Sequence, residues 1–198
     1  MLGMMLLSRV MGGGMALARA ELTGPSLSRL RPKVKETAFT LWKIYIGFTF
    51  IEIFLLGTLG GMSLFDSVNH GFTTMATGGF STRDASIGYY DSLKVESIII
   101  IFMFIGGINF TLIWFLLARE YVKAFKDEEF KTYLVYIFVA VAIMMVALVT
   151  ANVDLGDSFR QSLFQTISIG TSTGYTTQDY MTWPAVTQFI LMLSLIHI

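Results

Sequence analysis

The sequence predicts an all-α polytopic membrane protein. Its predicted units are tandem, each a long helix, a short helix dipping into the membrane, a polar strip and a second long helix. Three observations predict it. The 198-residue chain is 54% hydrophobic, has a mean hydropathy of +0.65 and is only 14% charged, where a soluble domain carries about a quarter. Several apolar stretches exceed the roughly 20 residues that a helix needs to cross a hydrocarbon core. Two polar strips, Ala76-Thr-Gly-Gly-Phe-Ser-Thr82 and Thr171-Ser-Thr-Gly-Tyr-Thr-Thr177, align position for position between apolar runs.

In chain order, Met1–Leu7 is apolar but lacks the charged lead and small-residue cleavage site of a signal peptide. Met1–Leu17 therefore reads as a partial span, the tail of a membrane helix. Ala38–Gly60 is the first complete span, about 35 Å long at the helical rise of ~1.5 Å per residue. Leu93–Leu117, with its run Ile98-Ile-Ile-Ile-Phe-Met-Phe-Ile105, is the second, and Phe130–Ala151 the third. Trp183–Ile198 reads as a further partial span.

Loop charge gives the orientation. Residues 19–36 hold Arg19, Arg29, Arg31, Lys33 and Lys35, and residues 119–131 hold Arg119, Lys123, Lys126 and Lys131. By the positive-inside bias these loops are cytoplasmic and both polar strips face outside. Residues 61–92 then begin and end outside, so the amphipathic stretch Leu64–Met75 is a re-entrant half-helix, too short to cross. Ser63 with Asp66 resembles a capping box at its start. The pattern recurs after the third span, where Asp157-Ser158 opens a short helix reaching about Ser168.

Irregular backbone inside a bilayer is tolerated where protein buries it or where it lines a wet cavity. A duplicated Thr/Ser/Gly strip therefore reads as pore lining, whose oxygens replace the water shell of a dehydrated cation. The short helices would aim their partially negative C-termini at the same axis, favouring cations over anions.

These strips occur with Gly13-Gly-Met-Ala-Leu-Ala-Arg-Ala-Glu21, Glu36-Thr-Ala with Leu41-Trp, Asp84-Ala-Ser-Ile-Gly-Tyr89, Gly106-Gly-Ile-Asn-Phe110 and Phe164-Gln-Thr-Ile-Ser168. Together they resemble the Trk-type potassium uptake family, membrane subunits of the Trk/Ktr/HKT superfamily, over nearly the whole chain. The resemblance implies four helix–pore-loop–helix repeats of potassium-channel type around one pore in a bacterial inner membrane. It also implies a homodimer on a cytosolic nucleotide-binding regulatory subunit. On this basis residues 1–18 end a first repeat, 19–36 are a cytoplasmic loop and 37–118 a second repeat. Residues 119–131 are another cytoplasmic loop, and 132–198 a third repeat truncated in its second helix. First and fourth strips have no counterpart here.

The resemblance implies a potassium filter at Ala76, Thr77, Gly78, Gly79, Thr171, Ser172, Thr173 and Gly174. Gly79 and Gly174 are the filter glycines, and Phe80 and Tyr175 brace the strips from behind. Gly106, Gly107 and Asn109 interrupt an apolar helix and read two ways, as a kink or constriction below the filter or as close helix packing by small residues. Glu52, in mid-span, is either a functional acid or a protonated or paired side chain facing another repeat. Lys43 snorkels, and His70 is expected to be a hydrogen-bonded packing residue. Arg83 and Asp84 border the outer mouth, where a local salt bridge is expected.

Net charge is zero, which offers no basic field for nucleic acid, and cysteine is absent. The chain holds no P-loop, no His-Glu-x-x-His and no nucleophile elbow. With His70 and His197 its only histidines, acid–base catalysis has little to work with. No enzyme activity and no cofactor are expected; potassium is cargo and lipid the solvent. The rival readings are a sodium-selective or sodium-coupled member of the same superfamily and a secondary transporter with broken helices.

Overall fold

A computed structural model describes residues 34–117, 119–120 and 125–196. The expected elements in 1–33, including the partial span Met1–Leu17 and most of the basic loop 19–36, lie outside the described residues, as does part of the loop 119–131. The α-helices are α1 (Val34–Thr58), α2 (Leu64–Met75), α3 (Leu93–Gly107), α4 (Phe110–Leu117), α5 (Glu128–Thr150), α6 (Leu155–Gly170) and α7 (Ala185–Ile196). Two 3-10 turns, Ser86–Tyr90 and Tyr180–Thr182, follow the polar strips. The fold divides into Met1–Tyr45 and Ile46–Ile198. The first unit contributes the start of α1, where Lys43 Nζ lies 4.6 Å from the centroid of the Phe39 ring.

Within the second unit the helices sort their residues as membrane helices do. On α1, Thr49, Glu52 and Leu56 are buried, while Phe50, Ile51 and Phe54 are exposed. On α5, Ile137, Ala140, Val141, Met144 and Leu148 form a buried stripe, and Val135, Phe138, Val139 and Val146 stand outside it, exposed. Spacings of three and four residues put each set on one helix face. Large apolar side chains on the outer face are costly in water and natural in lipid. Phe39–Thr58 and Glu128–Thr150 are long and apolar enough to span.

The expected span Leu93–Leu117 is broken. α3 ends at Gly107, Ile108 is extended (φ −83°, ψ 144°), and α4 starts at Phe110. The Asn109 carbonyl accepts from the Leu112 amide at 2.8 Å, which begins the new helix. α3 packs against both α2 and α6, α5 packs along α6, and α7 packs on both. The two short helices are thereby held around one central helix end.

Candidate functional site: the paired polar strips

The short helices form for identifiable reasons. Ser63 caps α2, its hydroxyl accepting from the Asp66 amide at 3.1 Å, a bond that satisfies one of the free amides at a helix start. Asp66 does not complete a capping box. Its carboxylate accepts from Thr82 Oγ1 at 2.7 Å and Arg83 Nη2 at 3.0 Å. The Thr82 hydrogen bond, with the Arg83 guanidinium beside it, holds the carboxyl down at about 2. The expected mouth salt bridge of Arg83 is thus made to Asp66. α6 starts earlier than the expected Asp157, because Asp154 caps it by accepting from the Gly156 amide at 2.9 Å.

Past each helix the backbone follows one trace twice. The amides of Ala76, Thr77, Gly78 and Gly79 donate to the carbonyls of Phe72, Thr74, Thr73 and Thr73 at 3.1, 2.9, 2.7 and 3.2 Å. The amides of Thr171, Ser172, Thr173 and Gly174 donate to Ile167, Ile169, Ser168 and Ser168 at 2.9, 2.9, 2.9 and 3.0 Å. Every donor and acceptor is displaced by the same 95 positions. Left-handed residues recur likewise, with φ of +49° at Thr77 and +59° at Ser172, then +61° at Gly79 and +87° at Gly174. Such angles cost a side-chain-bearing residue about 1–2 kcal/mol, and they keep successive carbonyls from continuing the helix.

With the amides directed back at the helix end, the carbonyl oxygens are left over. Among the described residues no hydrogen bond ends on the carbonyls of Thr77, Gly78, Gly79, Ser172, Thr173 or Gly174. Three of the hydroxyls are engaged locally: Thr77 Oγ1 donates to the Ala76 carbonyl at 2.8 Å, Thr171 Oγ1 to Ile167 at 2.8 Å, and Thr173 Oγ1 lies 2.7 Å from Thr171 Oγ1. The carbonyls of residues 77–79 and 172–174 are therefore the main-chain oxygens left over, and Ala76, whose carbonyl already accepts from Thr77, offers less than its neighbours.

The strips also meet. A Cβ on Gly79 would run into the carbonyl oxygen of Thr173. The two glycines ending α3 sit against both strips. A Cβ on Gly106 would lie 3.5 Å from Thr77 Cγ2, whereas one on Gly107 would come within 2.6 Å of Thr171 Cγ2 and 2.9 Å of Tyr133 Oη. A side chain at Gly107 would thus meet Thr171 and Tyr133, and the helix breaks one residue later.

The bracing residues differ. Tyr175 is fully buried; its hydroxyl lies 2.5 Å from Thr73 Oγ1, and its ring packs against His70 with centroids 5.8 Å apart. Phe80, expected to match it, is 76% exposed. Tyr175 reaches back to the helix of the other copy, whereas Phe80 has no such helix beside it among the described residues. His70 is a packing residue as expected, with Nδ1 2.7 Å from the Asp66 carbonyl and Nε2 3.0 Å from Ser81 Oγ. Glu52 is fully buried.

Two contributors were not anticipated. Thr73 Oγ1 lies 2.9 Å from the Phe80 carbonyl, and Ser168 Oγ donates to the Tyr175 carbonyl at 2.6 Å. These equivalent hydroxyls hold the outer turn of each strip. Their signal was a β-hydroxyl residue three positions before each strip, visible once the two copies are aligned.

The chain is similar to known proteins. Residues 2–196 match the family model TrkH, described as cation transport protein. Trk system potassium uptake protein TrkH of Vibrio parahaemolyticus is 39% identical over 191 residues, 92% of this chain and 39% of that protein. Its namesake from Escherichia coli K12 is 40% identical over 186 residues, 92% of this chain and 38% of that one. The crystal structure of the potassium transporter TrkH from Vibrio parahaemolyticus superposes with a TM-score of 0.78 at 36% identity, covering 91% of this chain and 39% of its own. The chain thus spans about two fifths of the length of these relatives, and it belongs to the TrkH family of cation transport proteins.

Proposed function

We propose that this chain supplies two of the pore loops of a Trk-type potassium uptake protein in the bacterial inner membrane, with the carbonyls of residues 77–79 and 172–174 forming part of its filter. The observation that carries the reading is the duplicated trace of amides turned back and carbonyls left over, with the copies meeting at Gly79 and Thr173. Oxygens fixed around an axis replace the hydration shell of a cation of matching size and field. The relatives named above are potassium uptake proteins, which favours potassium over sodium as the cargo.

In this reading residues 37–118 form one repeat, 132–198 most of the next, and 1–18 the end of the one before. The loops 19–36 and 119–131 face the cytosol, where a nucleotide-binding regulatory subunit docks on a homodimer of the complete protein. Gly106, Gly107 and Asn109 form the floor beneath the strips, and the α3–α4 break gives that floor a hinge. The test is rubidium and sodium flux through the complete protein. Gly79→Ser and Gly174→Ser should each weaken discrimination, and unchanged ion preference in both would overturn the assignment.

A further inference from the structure

The two short helices are anchored at their outer ends by different means. α2 is tied within its own copy, Asp66 accepting from Thr82 and Arg83. α6 is tied to the segment that follows the first strip. Arg160 Nε donates to Glu96 Oε2 and Arg160 Nη2 to Glu96 Oε1, both at 2.6 Å, and Nη2 also reaches Asp91 Oδ1 at 3.3 Å. Glu96 lies in the first turn of α3 and is 2% exposed. The position equivalent to Arg160 in α2 is Phe65, which is 69% exposed, so α2 carries no such clamp.

The same segment grips the strip that α6 presents. The Gly88 amide donates to the Thr176 carbonyl at 3.1 Å, and the Thr176 amide donates to Ser86 Oγ at 3.3 Å. A Cβ on Gly88 would come 2.5 Å from the Thr177 carbonyl, so the two backbones are in direct contact. Residues 86–96 therefore hold the second strip at two places, its outer end and its helix. Helix association in lipid has little hydrophobic drive, so specific polar links set where one helix lies against another. A bidentate guanidinium–carboxylate pair fixes both distance and orientation.

We propose that Arg160 and Glu96 are specificity-determining positioning residues, which set the second strip in register with the first so that both present carbonyls at one cation-binding distance. This rests on the potassium reading above. Neither residue touches the ion; each acts through α6 and Thr176 on the close approach of Gly79 to Thr173.

The experiment measures rubidium and sodium uptake by the complete protein in lipid vesicles, normalised to the amount inserted. Arg160→Gln and Glu96→Gln should each lower the rubidium-to-sodium ratio about tenfold, equivalent to about 1.4 kcal/mol, and the double variant should fall no further than either single. Arg160→Lys, which keeps the charge but not the fork, should fall between them and the parent protein. Unchanged ratios in both singles, or losses that multiply in the double, would overturn the proposal. If a single variant fails to insert, the double decides, because it leaves no buried charge unpaired; a parental ratio there refutes the clamp. A parent protein without discrimination, or one indifferent to both Gly79→Ser and Gly174→Ser, would instead sink the potassium reading itself.

Discussion

At Gly79 an added methyl group would run into the Thr173 carbonyl, whereas at Gly174 it would meet nothing within 4 Å, although the two glycines hold φ of +61° and +87°. The backbone traces are the same and the surroundings are not. Each trace is set locally, by a short helix that carries a β-hydroxyl residue in its last turn and has four amides turned back on it. What stands around a strip is set by its neighbours. The first strip is pressed by the second, while Tyr175 behind the second is buried against α2 and Phe80 behind the first is open. A repeated sequence thus specifies a repeated backbone, and the contacts between copies decide how much each position tolerates.

The largest effect should come where conformation and crowding coincide. Gly79→Ala should reduce rubidium-over-sodium discrimination of the complete protein more than Gly174→Ala, because both incur about 1–2 kcal/mol of left-handed strain but only Gly79 also meets a carbonyl. Equal effects would show that the strips do not meet as described. Next in size is the floor. Gly107→Ala should cost flux or folding, since its methyl would press on Thr171 and Tyr133, while Gly106→Ala should be tolerated with its neighbours at 3.5 Å or more. Uptake by both variants in parallel separates close packing from a need for backbone freedom, which would affect both alike.

A smaller effect is expected at the braces. Tyr175→Phe removes the hydroxyl beside Thr73, a loss of about 0.5–1.5 kcal/mol in stability, whereas Phe80→Leu, at an exposed position, should change little. The smallest is a pH effect at Asp66. Its folded pKa is depressed to about 2 from an ordinary value near 3.8, so the unfolded chain takes up the proton first as pH falls. The stabilisation is complete above about pH 4 and is lost as pH drops toward about 2. Asp66→Asn should flatten the melting temperature over that window; a slope that persists would assign it to other carboxylates.

Much of this was legible in the sequence, for physical reasons. Long apolar runs leave few folds open in lipid, and a strip that occurs twice fixes its own alignment, so α1, α2 and α5 fall close to their expected limits. The Ser63 cap was readable because capping depends on one side chain and the amide three residues later. Asp154 was overlooked because Asp157-Ser158 offers an equally good local signal, and only the bond to Gly156 decides between them. The break at Ile108 and the role of Gly107 depend on how near Thr171 and Tyr133 lie, which no local pattern states. The Arg160–Glu96 pair joins residues 64 positions apart, and the exposure of Phe80 depends on which neighbour is present.

The central claim is that main-chain carbonyls of both strips face one cation path. Its most direct measurement is the anomalous density of thallium or rubidium in crystals of the complete protein. The account predicts ion density coordinated jointly by carbonyl oxygens from residues 77–79 and 172–174. Density confined to carboxylates, or strips whose carbonyls point into protein or lipid, would contradict it.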